Sequence, residues 1–206
     1  MDLTVGNDSD IIVGNVFDKY GTRNPLYRRV VGGYFRSLSQ LLPELMPARV
    51  LEVGCVEGHI AGWLSQRASP VSLVAVDLSP RMLARAHARH PAVVFAGASA
   101  SDLPFDDRSF DLVFLLEVLE HLPSPRRALE EARRVCAGQL VASVPREPVW
   151  RLLNLLRGAY WRRWGDTPGH LQHWSKSSFL GLLQEQWTVK RVAMPLPWMM
   201  AQCSRE

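Results

Sequence analysis

Apolar and polar positions follow two different rhythms along this chain. Residues 24–42 (NPLYRRVVGGYFRSLSQLL) place apolar side chains at roughly helical spacing and predict a first helix, weakened by Gly32 and Gly33. Pro43 and Pro47 break it, and a short apolar run then predicts a strand over 49–53. The segment 58–67 reads as a helix and SLVAV (72–76) as a second strand. Ser79-Pro80 sets an N-cap hydroxyl before a proline at the first helical position, and Ser124-Pro125 repeats that grammar before a helix over 125–135. Further strands are predicted at 92–96, at 110–115 and at 139–144 (QLVASV), the last ending at Pro145. Short apolar runs alternating with helical runs argue for βαβ units and a parallel sheet. The end differs: QWTVKRVAM, PLP and WMMAQC read as two strands joined by a tight turn, which predicts an antiparallel strand at one sheet edge. The whole pattern predicts an α/β sandwich.

Composition narrows the class. With 206 residues, 47% apolar and 21% charged, the chain is long enough for one domain with a substantial core. Its richest apolar run, FDLVFLLEVL, is interrupted by Asp111 and Glu117, so a membrane-spanning helix is not expected. The first residues, MDLTVGNDSD, are acidic and polar where a secretory leader is basic and then apolar. Cys55, Cys136 and Cys203 are odd in number and widely spaced, as expected of reduced thiols in a cytoplasmic protein. The net charge of +4 is carried almost wholly by arginine, Lys19, Lys176 and Lys190 being the only lysines. That excess permits an anionic substrate. It is less dense than the basic stripe of a nucleic-acid binder, so no nucleic-acid partner is expected.

Ligands of open α/β sheets lie beyond the carboxyl ends of the strands, where strand order reverses. The first strand-to-helix turn is VLEVGCVEGH (50–59), with Gly54 and Gly58 where a tight turn needs them. The second strand leads to Asp77, placed to accept hydrogen bonds from ribose hydroxyls. VLEVGCVEGH, VAVDLSPRML, SDLPFDDRSFDLVF and EVLEHL stand in the order and spacing of class I S-adenosylmethionine-dependent methyltransferases. Over residues 48–145 the chain resembles that family, and in flavour its small-molecule branch, similar to the ubiquinone-pathway O-methyltransferases.

The resemblance implies a Rossmann-like, doubly wound seven-stranded sheet, mostly parallel, with an antiparallel strand in the C-terminal hairpin. It implies S-adenosyl-L-methionine as cofactor. Glu52, Gly54, Cys55, Val56 and Gly58 would flank its methionine part, Asp77 its ribose and Leu78 its adenine face. Ser99 and Ala100 would meet the adenine edge, Leu115 and Leu116 would lie beneath the sulfonium, and Tyr20 would close over the cofactor. Two positions depart from the family pattern. Val56 replaces a glycine, which strains the backbone if the turn needs positive φ and merely crowds it otherwise. Ser99 stands where an aspartate often accepts from the adenine amino group, and accepts without charge assistance.

Methyl transfer needs an aligned nucleophile and a place for its proton. His121, with Glu117 and His170, forms the candidate catalytic set, His121 as general base. Glu117-x-x-Glu120-His121 also resembles the metal-binding ExxEH of some O-methyltransferases, with His170 of GHLQHWS as a further ligand. A divalent metal is therefore possible, although no metal site is assigned. Residues 146–174 (REPVWRLLNLLRGAYWRRWGDTPGHLQHW) interleave tryptophans with arginines and predict a substrate lid. Such a surface can grip an apolar acceptor bearing an anion, lie on a membrane, or simply divide aromatics inward from arginines outward. The expected layout is a helical cap (1–47), a cofactor core (48–145), the lid (146–174) and a terminal helix with hairpin (175–206). The expected activity is methyl transfer to a small, apolar or lipid-like acceptor, with oxygen favoured. Two other readings stay open: an inactivated fold serving as a binding or partner subunit, and an RNA 2′-O-methyltransferase.

Overall fold

The computed structural model describes residues 24–44, 47–68, 72–156 and 158–205. Asn24 caps α1 (Pro25–Leu41): its side chain accepts from the backbone N–H groups of Leu26 and Tyr27. Next come β1 (Arg49–Val53), α2 (His59–Ala68), β2 (Ser72–Asp77) and α3 (Pro80–Arg89), then β3 (Val94–Gly97) and β4 (Phe110–Leu116). A 3-10 turn at Leu119–His121 precedes α4 (Pro125–Val135) and β5 (Cys136–Pro145). The chain ends with α5 (Val149–Leu156), α6 (Lys176–Gln184), β6 (Thr188–Ala193) and β7 (Trp198–Ser204).

Seven strands form one sheet in the order β3-β2-β1-β4-β5-β7-β6. The first five are parallel neighbours, and β7 runs antiparallel to both β5 and β6. Strand order reverses between β1 and β4, which opens the crevice that doubly wound sheets use for ligands. Each face of the sheet carries its own core. One joins Leu51, Val53, Val113 and Leu115 to α4 and α6, through Leu129, Val135, Phe179 and Leu183. The other joins Val50, Leu112 and Phe114 to α1 and α2, through Tyr34, Leu38, Ile60 and Leu64. β1 and β4 feed both layers because their side chains alternate.

Several expected boundaries move. β3 begins at Val94 rather than at residue 92, because Val93 closes a turn onto the His90 carbonyl before pairing with β2 starts at Val74 and Val94. β5 begins earlier, at Cys136, which pairs with Phe110 across a register shift. Ser79 caps α3 through its hydroxyl as expected, whereas Ser124 makes no side-chain capping bond. The hairpin also corrects an expectation: the antiparallel strand is not at the edge. β7 is buried along Trp198–Cys203 and must be covered on both sides, while β6 exposes Lys190 and Arg191 and so suits the rim.

The segment after β5 leaves and rejoins the domain at one place. Arg146 bridges to Trp174, and Glu147 N–H donates to the Trp174 carbonyl at 2.9 Å. Between those ends lie α5 and a 3-10 turn at Trp161–Arg163.

Candidate functional site

The crevice is built on the turn from β1 to α2. The N–H groups of Gly54 and Cys55 both donate to the Val76 carbonyl, at 2.8 and 3.0 Å, which ties the turn to the end of β2. Gly54 (φ +78°) and Gly58 (φ +74°) are left-handed, which favours glycine at both on backbone grounds. Packing adds to this: a Cβ on Gly54 would lie 2.4 Å from Cγ2 of Val118, and one on Gly58 would lie 3.0 Å from Ala86 and Phe95. Val56 is left-handed as well, at φ +47°. The strain foreseen for a valine there is therefore present, at a cost of roughly 1–2 kcal/mol. Its side chain is 40% exposed, so the burden is conformational rather than steric.

Asp77 holds this turn in place. Its Oδ2 accepts from Val56 N–H at 2.8 Å and its Oδ1 from Ser79 N–H at 2.9 Å. Glu57, on the outer side of the turn, pairs with Arg85 at 2.7 Å and Arg89 at 3.1 Å on α3. The Arg85 guanidinium, helped by Arg89, holds the Glu57 carboxyl below its usual range.

Glu52 is the anomalous group. It is 3% exposed, and among the described residues its Oε2 has no hydrogen-bond partner. Burial, reinforced by the charge of Asp77, pushes its carboxyl up to about 8, with the Ala61 backbone N–H opposing the rise. Burial likewise pushes the Cys55 thiol up, so this cysteine is not an activated nucleophile.

The remaining expected cofactor residues are distributed around this crevice and the core. Leu78 is 53% exposed beside the end of β2. Ser99 accepts at its hydroxyl from Ser101 N–H at 3.2 Å and bridges to Asp102, while Ala100 is buried in the core. Leu115 and Leu116 are both buried, and strand alternation sends them into opposite core layers. Tyr20 lies outside the described residues.

The segment after β4 joins this crevice to a second group of side chains. Val118 packs on Gly54, and three residues later His121 meets the segment between β5 and α6. His121 Nδ1 lies 2.9 Å from the Gly169 carbonyl. A carbonyl only accepts, so Nδ1 carries the proton and neutral His121 keeps its lone pair on Nε2. Its ring meets that of His170 edge-on at 5.0 Å, and His170 in turn stacks on Trp150 at 5.9 Å. Glu120, only 1% exposed, joins them: one ligand atom from each of Glu120, His121 and His170 lies within 4.8 Å of the others. Two imidazoles and one carboxylate suit a borderline ion such as Zn²⁺ better than Mg²⁺.

Glu117 stands outside that cluster. The helical convergence of Glu117 with Glu120 and His121 is not formed, because Glu117 is left-handed (φ +58°) and the 3-10 turn begins only at Leu119. The segment between β5 and α6 completes the cluster from far away in sequence. Leu171 and Gln172 N–H groups both donate to the Glu120 carbonyl, at 2.8 and 3.0 Å, and so hold His170 against His121. Trp150 was expected among the aromatics of 146–174 that could grip a substrate and instead stacks on His170; the Gly169 carbonyl was not foreseen, because a backbone acceptor carries no sequence signal.

Comparison with known proteins agrees with this geometry. Residues 51–139 match the family described as a methyltransferase domain. Over 104 residues the chain is 38% identical to a probable phthiotriol/phenolphthiotriol dimycocerosates methyltransferase of Mycobacterium ulcerans, a match covering 50% of this chain and 40% of that relative. The chain thus spans about two fifths of the curated relative it matches. An S-adenosylmethionine-dependent methyltransferase from Mesorhizobium loti superposes with a TM-score of 0.67 at 20% identity, covering 85% of this chain and 100% of that one. Magnesium protoporphyrin IX methyltransferase of Synechocystis, solved with bound S-adenosylhomocysteine, gives 0.66 at 17% identity over 95% and 91% of the two chains. In its sheet order, its glycine turn over Asp77 and these matches the chain is similar to the class I S-adenosylmethionine-dependent methyltransferases, with a methyltransferase domain matched over residues 51–139.

Proposed function

We propose that this domain binds S-adenosylmethionine in the crevice above β1 and β2 and directs methyl transfer to an apolar, lipid-like acceptor, at oxygen. The observation that carries the reading is Glu52 Oε2, a buried polar atom without a partner beside the glycine turn and Asp77. Buried polar groups in native proteins are nearly always satisfied, so an orphan at a ligand crevice fits a ligand that brings a donor. The cofactor's ammonium group is such a donor. In this reading Glu52, Gly54, Cys55, Val56 and Gly58 hold the methionine end. Asp77 keeps further lone pairs for the ribose, and Leu78, Ser99 and Ala100 surround the adenine.

When bound, the cofactor supplies an electrophilic methyl group. The protein's own part is to align the acceptor and receive its proton. His121, fixed by Gly169, offers Nε2 as the general base, and His170 on Trp150 holds the imidazole in place. The acceptor class rests on the lid and on the relatives, whose names attach them to dimycocerosate lipids. The close approach of Glu120, His121 and His170 favours a second reading of the proton step, in which a divalent ion activates the acceptor hydroxyl.

Calorimetric titration of S-adenosylmethionine and S-adenosylhomocysteine into the protein and its Val56→Gly variant tests the cofactor reading. Binding by both supports it, and silence from both overturns it in favour of a retained fold without a ligand. Binding by the variant alone would identify Val56 as an inactivating residue.

A further inference from the structure

Helix α5 wears its polarity inside out. Trp150 and Asn154 are 6% and 3% exposed, whereas Leu152 and Leu156, four residues apart on the outer side, are 57% and 74% exposed. The inward groups are fully engaged. Asn154 Nδ2 donates to the Gly165 carbonyl at 2.7 Å and to Thr167 Oγ1 at 3.1 Å, and Trp150 Nε1 donates to the same hydroxyl at 2.8 Å. These bonds hold the helix in this rotation, so the leucines do not turn inward by a simple roll. A helix facing water would show the reverse arrangement.

The turn that follows in sequence exposes further apolar side chains. Trp161 is 66% exposed and Trp164 81%, with exposed Arg162 and Arg163 between them. Neither arginine has an acidic partner among the described residues, unlike Arg151, which is paired with Glu147 and Asp166. From Val149 to Gly165 the sequence holds four arginines and no acid. Exposed leucines, indoles and unneutralised guanidinium groups within one short segment match the layers of an anionic bilayer surface: acyl boundary, headgroup level and phosphate. No helix among the described residues is long and apolar enough to cross a membrane, so the contact is peripheral.

We propose that the face formed by α5 and the Trp161–Trp164 turn docks this protein on anionic lipid bilayers. Trp161, Trp164, Leu152 and Leu156 enter the interface, and Arg162 and Arg163 meet lipid phosphates. Trp150, on the inner side of the same helix, stacks on His170, so docking sets the His121–His170 cluster beside the bilayer. That last consequence, delivery of an apolar acceptor to the site, rests on the methyl-transfer reading; the docking does not.

Co-sedimentation with phosphatidylglycerol-containing vesicles, against pure phosphatidylcholine vesicles, tests the proposal. The protein is expected to bind the anionic vesicles, and less so as salt rises. Trp161→Ser/Trp164→Ser should weaken that binding about tenfold or more, and Arg162→Glu/Arg163→Glu should remove the preference for anionic lipid. All four side chains are exposed, so melting temperature and S-adenosylhomocysteine binding should be unchanged in the variants. Failure to bind anionic vesicles at low salt overturns the proposal, as does binding that the tryptophan pair does not affect. A concentration-dependent dimer in sedimentation velocity that Trp161→Ser/Trp164→Ser abolishes, without vesicle binding, would assign the face to a second copy and also overturn it. S-adenosylhomocysteine binding measured in the same preparations reports on the cofactor reading separately.

Discussion

Oδ2 of Asp77 accepts the backbone N–H of Val56 at 2.8 Å, and in doing so helps hold a β-branched residue at φ +47°. The bond fixes the crown of the turn directly above the carboxylate read as the ribose anchor. A valine in the left-handed region costs roughly 1–2 kcal/mol, and the turn keeps that shape nonetheless.

Val56→Gly should therefore change cofactor affinity little, within about twofold in Kd, because the ligand-free turn already holds this geometry and the strain is common to the free and bound states. Overall stability should change little, because relief of strain is offset by the greater freedom of glycine in the unfolded chain. Calorimetric titration and thermal unfolding measure the two effects independently.

Glu52 predicts a pH dependence. Its folded carboxyl titrates near 8, far above an unfolded glutamate, so between those limits the folded state binds more protons. Stability of the ligand-free protein should then fall as pH rises from about 4.5 to about 8, and level off above that. Glu52→Gln should flatten this slope and raise the melting temperature at pH 8 by roughly 5 °C. If Glu52 faces the cofactor's ammonium group, the same variant should bind S-adenosylhomocysteine more weakly.

His121→Asn should lower the methyl-transfer rate about 100-fold or more while leaving cofactor affinity nearly unchanged, since a general base acts on the acceptor's proton. Formation of S-adenosylhomocysteine with an acceptor found by screening lipid alcohols and phenols provides the readout. Dialysis against EDTA separates the two readings of the proton step. In the general-base reading transfer survives chelation, because a neutral imidazole whose Nδ1 donates to Gly169 takes up the proton without an ion. Loss of activity restored by Zn²⁺, and not in His170→Ala, would instead place an ion among Glu120, His121 and His170.

Gly54→Ala should destabilise the protein by about 2–3 kcal/mol, since the new methyl meets Val118 and φ stays at +78°. Val118→Ala introduced with it should recover part of that loss by removing the clash, and leave the roughly 1 kcal/mol owed to positive φ. Chemical denaturation of the two single variants and the double variant would measure the coupling.

What the sequence determined by itself was local and periodic. The limits of β1 and α4, the Ser79-Pro80 start of α3 and the glycine turn followed by Asp77 were all readable, because strand and helix periods and positive-φ glycines act within a few residues. The strain at Val56 was readable only as a condition, since nothing local says whether a given turn residue crosses to positive φ. Tertiary structure decided the rest. It placed β7 inside the sheet and β6 at the rim, because burial on both faces depends on what packs above and below. It replaced the Glu117–Glu120–His121 face with Glu120–His121–His170, because one left-handed residue delayed the turn and a loop some 50 residues away supplied the third group. It also turned Leu152 and Leu156 outward, through hydrogen bonds from Trp150 and Asn154 to Thr167 and Gly165. Such choices depend on partners distant in the chain, and a period of two or of 3.6 carries no record of them.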